Sequence, residues 1–467
     1  MANYDLAIIG SGPGGYVTAI RAAEWGLKTV VIEKDGFLGG TCLHVGCIPT
    51  KVMLESADVL DEIQRACEFG IAVDMKNVKL NWAGVLARKD KIVNKHAKGI
   101  EFLFKKNKVE SVTGWGRVAG PGRVSVEKDG KTTEITAKNI IVATGSEAKS
   151  LPGVKIDGKT ILSNIEILSL PQIPKTLVVV GAGAVGVEFA SIFRSFGSDV
   201  TLLEALPRVV PLEDEEISAQ LERAFRKRGI QIQTGARVQG VTTDAKGGTV
   251  TFTDSDGKTQ KVSAEKILIA VGRAPKTENV GLEKTKAKLE RGFIHVGPYM
   301  ETDEPGLYAI GDIVAGMPQL AHAASMEGIT AVAKMSGHQM PPVERNRVPA
   351  ATYCEPQIGS VGLTEKAARD AGYKVKIGKF PFAASSKASI LGQEQGFVKV
   401  VSEEQYGEVL GVHIIGPLAT EILAEAVTAL QLEATVDDMM AMIHAHPTVW
   451  EAMGDAFAAV RGLAINA

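Results

Sequence analysis

The sequence predicts an α/β protein built on an internal duplication, with an α+β domain at its C-terminal end. Three observations predict it. A strand, glycine loop, helix, strand pattern occurs near residue 10 and again near residue 181; each copy closes with a buried strand running into a glycine turn; and the final 120 or so residues hold short strands and helices without such a loop. At 467 residues there is length for about three domains of ordinary size.

In the first copy, Asp5 to Ile9 reads as a buried strand, Pro13 to Trp25 as a helix, and Thr29 to Ile32 as a second strand ending at Glu33. Between strand and helix lies Gly10-Ser11-Gly12-Pro13-Gly14-Gly15, a G-x-G-x-x-G loop with an acidic residue 18 positions after its last glycine. In that context the loop is the fingerprint of a Rossmann-like dinucleotide-binding domain. Its glycines allow a tight turn and the close approach of a pyrophosphate, the helix N-terminus stabilises that anion, and Glu33 is placed to accept from a ribose hydroxyl. The second copy repeats every part. Thr176 to Val180 is strand-like, Gly181-Ala182-Gly183-Ala184-Val185-Gly186 repeats the loop, and Val200 to Leu203 leads to Glu204, again 18 residues past the last glycine. Two dinucleotide sites follow.

A β-rich meander comes after each loop, and then a buried strand: Ile140 to Thr144-Gly145 in the first copy, Ile267 to Gly272-Arg273 in the second. The first copy is roughly 44 residues longer between its first glycine and its closing turn, an excess that corresponds to Gly39 through Phe104. Inside this insertion lies Gly39-Gly40-Thr41-Cys42-Leu43-His44-Val45-Gly46-Cys47-Ile48-Pro49-Thr50-Lys51. Pro49 suits a first helical position, which leaves Cys47 just ahead of a helix start, where backbone N–H groups and the helix dipole favour a thiolate. Lys51, one turn on, adds a positive charge. A zinc site would require a second ligand pair, and neither Cys67 nor Cys354 belongs to one. A purely structural disulfide across so short a loop would restrain the unfolded chain little.

Pro152, Gly153, Pro171 and Pro174 punctuate the passage between copies, and a strand from Gly306 to Ile310 ending in Gly311-Asp312, with a helix near Leu320, should return the chain to the first domain. The boundaries expected are 1–150, 151–280, 281–347 (a return to the first domain) and 348–467. In the last domain Lys374 to Phe380, Phe397 to Val401 and Val409 to Ile415 read as an antiparallel sheet, with helices from about Leu418. Near its end Pro447 suits a helix start, with His446 at the cap and Glu451 one turn inside, near enough to orient an imidazole as a general base. Taken alone, that motif reads more simply as a capping histidine beside a solvated glutamate.

Composition removes several function classes. With 52 basic and 54 acidic residues the net charge is −2, which gives no argument for nucleic acid or an anionic membrane surface. No apolar run is long enough to span a membrane, and strand Leu6 to Ile9 begins almost at once without a targeting segment, so a cytoplasmic protein is expected.

In order along essentially the whole chain, Gly10 to Gly15, Gly40 to Lys51, Gly181 to Gly186, Gly311-Asp312 and His446-Pro447-Thr448 to Glu451 resemble the flavin-dependent pyridine nucleotide disulfide oxidoreductases. The resemblance implies that the first loop holds FAD, with Glu33 on its adenosine ribose. Thr41, Gly116, Thr144, Gly145, Ser146, Asp312, Leu320, Ala321 and His322 would lie along the same cofactor. It places NAD on Gly181, Gly183, Gly186, Glu204, Val238 and Gly272, since relatives that use NADPH carry arginine at the position of Glu204; Arg208 nearby is the dissenting residue. It pairs Cys42 and Cys47 as a redox disulfide, sets Lys51 by the isoalloxazine with Glu188 as its partner, and makes the C-terminal domain a homodimer interface through which His446, held by Glu451, serves the other subunit. Ile48-Pro49-Thr50-Lys51 resembles the branch that oxidises reduced lipoamide rather than glutathione reductase. The implied partners are therefore lipoyl domains of 2-oxo acid dehydrogenase complexes or the H protein of glycine cleavage. Cys354 and Gln357 depart from the family pattern, which has threonine and glutamate there.

Overall fold

The structure, a computed structural model, describes residues 3–466. The chain divides into two compact units, each assembled from three stretches: Met1–Pro49, Ala87–Ala148 and Arg273–Arg345 in one, Thr50–Leu86, Lys149–Gly272 and Asn346–Ala467 in the other.

The first unit is organised on a mixed sheet. Strand β1 (Asn3–Ile9) leads through the glycine loop into helix α1 (Pro13–Glu24), strand β2 (Thr29–Glu33), the short helix α2 (Gly40–Val45) and helix α3 (Cys47–Gln64), which continues into the second unit. Helix α4 (Trp82–Asn107) returns the chain to strands β3 (Glu110–Thr113), β4 (Trp115–Gly120), β5 (Arg123–Lys128) and β6 (Lys131–Val142). The sheet order is β3-β2-β1-β6-β5-β4, and strand Leu307–Ala309 adds parallel to β6. Alternation along β1 decides which face each residue serves. Leu6 and Ile8 pack with α1 and α4 through Ala19, Ala22, Ile100 and Phe104, while Ala7 and Ile9 pack with the meander through Val118, Val124 and Ile135.

The second unit repeats the parallel core, in the order Gln231–Gln233, Asp199–Leu203, Thr176–Val180, Lys266–Ile269, Ile161–Leu162. The copies differ at the meander. In the first, β6 is one 12-residue strand that pairs antiparallel with β5 and parallel with β1. In the second, the meander (Arg237–Asp244, Gly247–Thr253, Thr259–Ala264) forms its own sheet, and the chain leaves it at Glu265 before the core strand begins. The same unit carries the C-terminal antiparallel sheet Ala350–Thr352, Gln357–Gly362, Val409–Gly416, Phe397–Glu403, Val375–Pro381. Helix Glu451–Val460 lies directly on its edge strand: a Cβ at Gly378 would sit 2.1 Å from the Ala456 carbonyl oxygen.

One helix start differs from expectation. Helix α3 begins at Cys47 itself, with Pro49 as its third residue. The first-turn N–H groups have no intrahelical acceptor, so a proline there forfeits no bond. Cys47 is thus inside the first turn rather than ahead of it. Among the described residues no helix is long and apolar enough to cross a membrane.

Candidate active site

The two glycine loops have one geometry. At Gly10 (φ +108°) a Cβ would lie 2.3 Å from the Ala143 carbonyl oxygen, and at Gly15 2.0 Å from that of Gly10; at Gly181 (φ +101°) and Gly186 the distances are 2.4 Å to Ala270 and 1.8 Å to Gly181. Strand crossing and helix approach therefore require the first and third glycines. The middle ones, Gly12 and Gly183, cap α1 and helix Ala184–Ser195 and meet nothing within 4 Å. They leave the helix N-termini accessible, which is the form of an anion cradle.

Each acidic residue ties its strand end to its loop. Glu33 Oε2 accepts from the Ser11 N–H (2.9 Å) and hydroxyl (2.6 Å), and Oε1 accepts from the Asp35 N–H (3.0 Å). Glu204 accepts from the Ala182 N–H (2.7 Å) and the Leu206 N–H (2.9 Å). Arg208 is committed elsewhere, donating to Glu215 (2.7 Å) and to the Pro211 carbonyl (3.1 Å). Val238 lies half-buried in strand Arg237–Asp244, and Gly272 (φ +102°) begins the turn after the last core strand.

The cysteine segment is built against the first loop. Ser11 Oγ also accepts from the Gly39 N–H (3.2 Å), and a Cβ at Gly40 would fall 2.7 Å from Gly12 Cα. Cys42, half-buried in α2 after Thr41, and Cys47, exposed at the start of α3, are joined through Gly46. A side chain at Gly46 would be 3.2 Å from Cys42 Cα, so the glycine folds the chain straight back on the first cysteine. Arg273, which the sequence did not single out, is close enough for the Cys47 charge to act on it; burial pulls its pKa down, while Asp312, Cys47 and Glu147 oppose that shift. Its guanidinium donates to Ser146 Oγ (2.6 Å) and the Ser146 carbonyl (2.7 Å), and the Ser146 hydroxyl donates to Asp312.

Around Asp312 the backbone is held tightly. The Gly311 N–H donates to Glu327 Oε2 (2.6 Å), and burial pushes the Glu327 carboxyl up to about 7. Gly145 accepts from the Lys276 N–H (2.8 Å), Thr144 donates to the Lys276 carbonyl (2.5 Å), and Gly116 lies between Ile9 and Ile32. Leu320 caps helix Ala321–Ser336, on whose first turn His322 is exposed.

In the second unit Lys51 Nζ donates to both oxygens of the buried Glu188 (2.9 and 2.8 Å), whose Oε1 also accepts from the Tyr353 N–H (3.0 Å); the ammonium stands 4.7 Å from the centre of the Tyr353 ring. His446 Nδ1 is 2.8 Å from Glu451 Oε1, and Glu451 Oε2 accepts from the Thr448 N–H (2.9 Å). Burial works the other way, yet the Thr448 N–H and His446 hold the Glu451 carboxyl below its ordinary range. The helix begins only at Glu451, with Trp450 as its cap, so His446 belongs to a turn five residues upstream and does not cap the helix. The Thr448 N–H is spent on the Glu451 side chain and the Thr448 hydroxyl on the Ala445 carbonyl, which closes that turn. Cys354 is fully buried and donates to the Pro356 carbonyl.

The pyridine nucleotide-disulphide oxidoreductase model matches residues 4–328, and the dimerisation domain of that family matches 348–457. A Bacillus subtilis protein named dihydrolipoyl dehydrogenase is 44% identical over 99% of both chains, and a Vigna unguiculata protein named leghemoglobin reductase is 42% identical over 97% of this chain and 86% of its own. The crystal structure of LpdA from Mycobacterium tuberculosis superposes with a TM-score of 0.89 at 28% identity, covering 98% of this chain and 99% of that one. With two nucleotide loops, a cysteine pair built against the first and a dimerisation domain, the chain belongs to the pyridine nucleotide-disulphide oxidoreductases and is a homodimeric flavoprotein enzyme working with FAD and NAD(H).

Proposed function

We propose that the chain is a cytoplasmic dihydrolipoyl dehydrogenase that oxidises dihydrolipoamide borne on lipoyl domains of 2-oxo acid dehydrogenase complexes or on the glycine cleavage H protein, with NAD⁺ as acceptor. The observation that carries this reading is the similarity over nearly the full chain, at 41–44% identity, to proteins so named. The open faces of Gly12 and Gly183 fit a pyrophosphate at each loop, FAD at the first and NAD at the second. The bound flavin supplies the two-electron relay from dithiol to NAD⁺ that no side chain can provide.

The side chains do the rest. His446, held at Nδ1 by Glu451, takes a thiol proton of the substrate at Nε2, serving the cysteine pair of the other copy in the dimer. The substrate thiolate attacks Sγ of Cys42 in the Cys42–Cys47 disulfide, and Cys47 leaves as a thiolate. Loss of the second thiol proton lets the other substrate sulfur displace Cys42 and close the substrate's own disulfide; one S–S bond breaks, one forms, and two electrons pass to the cysteines. Cys47 is the better leaving group because first-turn N–H groups and Arg273 favour its anion. Lys51, ion-paired with Glu188, would supply positive charge toward the flavin when that cofactor is bound.

Steady-state turnover of dihydrolipoamide with NAD⁺ should exceed that of glutathione disulfide with NADPH by orders of magnitude; the opposite order rejects the proposal. The two-electron-reduced protein should show a long-wavelength charge-transfer band that Cys47→Ser abolishes.

A further inference from the structure

Helix α4 carries a surface pattern that dithiol oxidation does not use. Its inner face is apolar: Val93, Ile100 and Phe104 are buried in the cluster that also holds Leu43, the residue after Cys42. On the outer face, at alternating steps of three and four, stand Arg88, Lys91, Lys95, Lys98, Phe102 and Lys105, all exposed, Phe102 by 66%. Five of these six positions are basic in a chain of net charge −2. Among the described residues none of the five is in an ion pair; the pair this helix does make, Lys89 with Asp90, lies off the stripe, and Glu101 flanks it. Like charges at these spacings weaken a helix, so the pattern does not serve helix stability.

We infer that this stripe is a docking face for an acidic protein domain and, resting on the dihydrolipoamide reading above, that the domain is the carrier of the dithiol. A carrier with acidic side chains on its surface would match the cations, and Phe102 would supply one apolar anchor among them. A bilayer fits poorly, because the apolar face that would enter lipid is already buried in the core. Docking here would hold the carrier about one helix diameter, about 10–12 Å, behind the contact with Leu43.

The test is steady-state kinetics of the intact holoenzyme on two substrates, free dihydrolipoamide and a reduced lipoylated domain of net negative charge, across a range of salt. Reversing the stripe with Lys91→Glu, Lys95→Glu and Lys98→Glu should raise KM for the protein-borne substrate about tenfold or more and flatten its salt dependence. The corresponding Lys→Gln set should give a smaller rise, and kinetics on free dihydrolipoamide should stay within about twofold for both. Normal turnover of the free substrate with no change in KM for the borne one overturns the docking face, as does an equal loss on both. No turnover of free dihydrolipoamide by the parent overturns the dithiol reading and the docking face with it. Binding of the parent to phosphatidylglycerol vesicles or duplex DNA that the Glu set abolishes, with KM for the carrier unmoved, replaces the carrier by another polyanion and overturns the inference.

Discussion

Gly183→Ala should weaken NAD⁺ binding and leave the fold intact, whereas Gly186→Ala should attack the fold itself. Gly183 has φ −74° and ψ −177°, a conformation alanine adopts freely, and its Cβ would meet nothing within 4 Å. The substitution then stabilises by about 0.4–1 kcal/mol through the unfolded chain. The same methyl stands where the helix N-terminus must meet the pyrophosphate, and NAD⁺ affinity should fall about 10- to 100-fold, about 1.4–2.8 kcal/mol. At Gly186 the Cβ would lie 1.8 Å from the Gly181 carbonyl oxygen, so helix and loop must part, at about 1–3 kcal/mol. Denaturant unfolding of the nucleotide-free protein and a fluorescence titration with NAD⁺ separate the two effects. Parental NAD⁺ affinity in Gly183→Ala, or unchanged stability in Gly186→Ala, refutes the division of roles.

Three further outcomes are expected. Glu327, fully buried and raised to about 7, prefers its neutral form in the folded state, so stability should fall as pH rises from about 5 to 8, by at most about 3 kcal/mol; denaturant unfolding of Glu327→Gln should show a flatter profile, and an identical slope in parent and variant argues against it. Glu188→Gln keeps an acceptor for the Tyr353 N–H but leaves Lys51 without its counter-charge, which should cost about 1–3 kcal/mol in the same unfolding assay. Glu451 is held below its ordinary range, so its contribution is present above the usual carboxylate pKa and is lost only as pH falls through the lower folded value. Glu451→Gln should therefore lower kcat/KM about 10- to 100-fold by a constant factor above pH of about 5; a loss confined to one end of the pH profile contradicts this.

Most of the fold was legible because the residues that build it are local. Gly10 to Gly15 and Gly181 to Gly186 each announce a strand, a turn and a helix within a short stretch, and the excess length of the first copy marks the cysteine insertion. The fate of the meander was not legible, since whether β6 runs through or the chain breaks at Glu265 depends on pairing between distant strands. The His446 turn was misjudged because Pro447 suggested a helix start, while the bond from the Thr448 N–H to the Glu451 side chain delays the helix to Glu451. The role of Arg273 was not legible because its charge meets that of Cys47 across more than two hundred residues of sequence.

The hydroxyl of Ser11 distinguishes the two otherwise matching loops. Where the first copy has this serine, the second has Ala182, and Glu204 there receives a backbone N–H but no hydroxyl. The Ser11 hydroxyl lets one loop hold its own acid and, together with the Ser11 carbonyl (3.1 Å), take the Gly39 N–H at the point where the cysteine segment departs. Anyone transplanting a dithiol onto another dinucleotide fold should move three small residues with it, Ser11, Gly39 and Gly40. Without them the thiols would arrive on a tether rather than on a foundation.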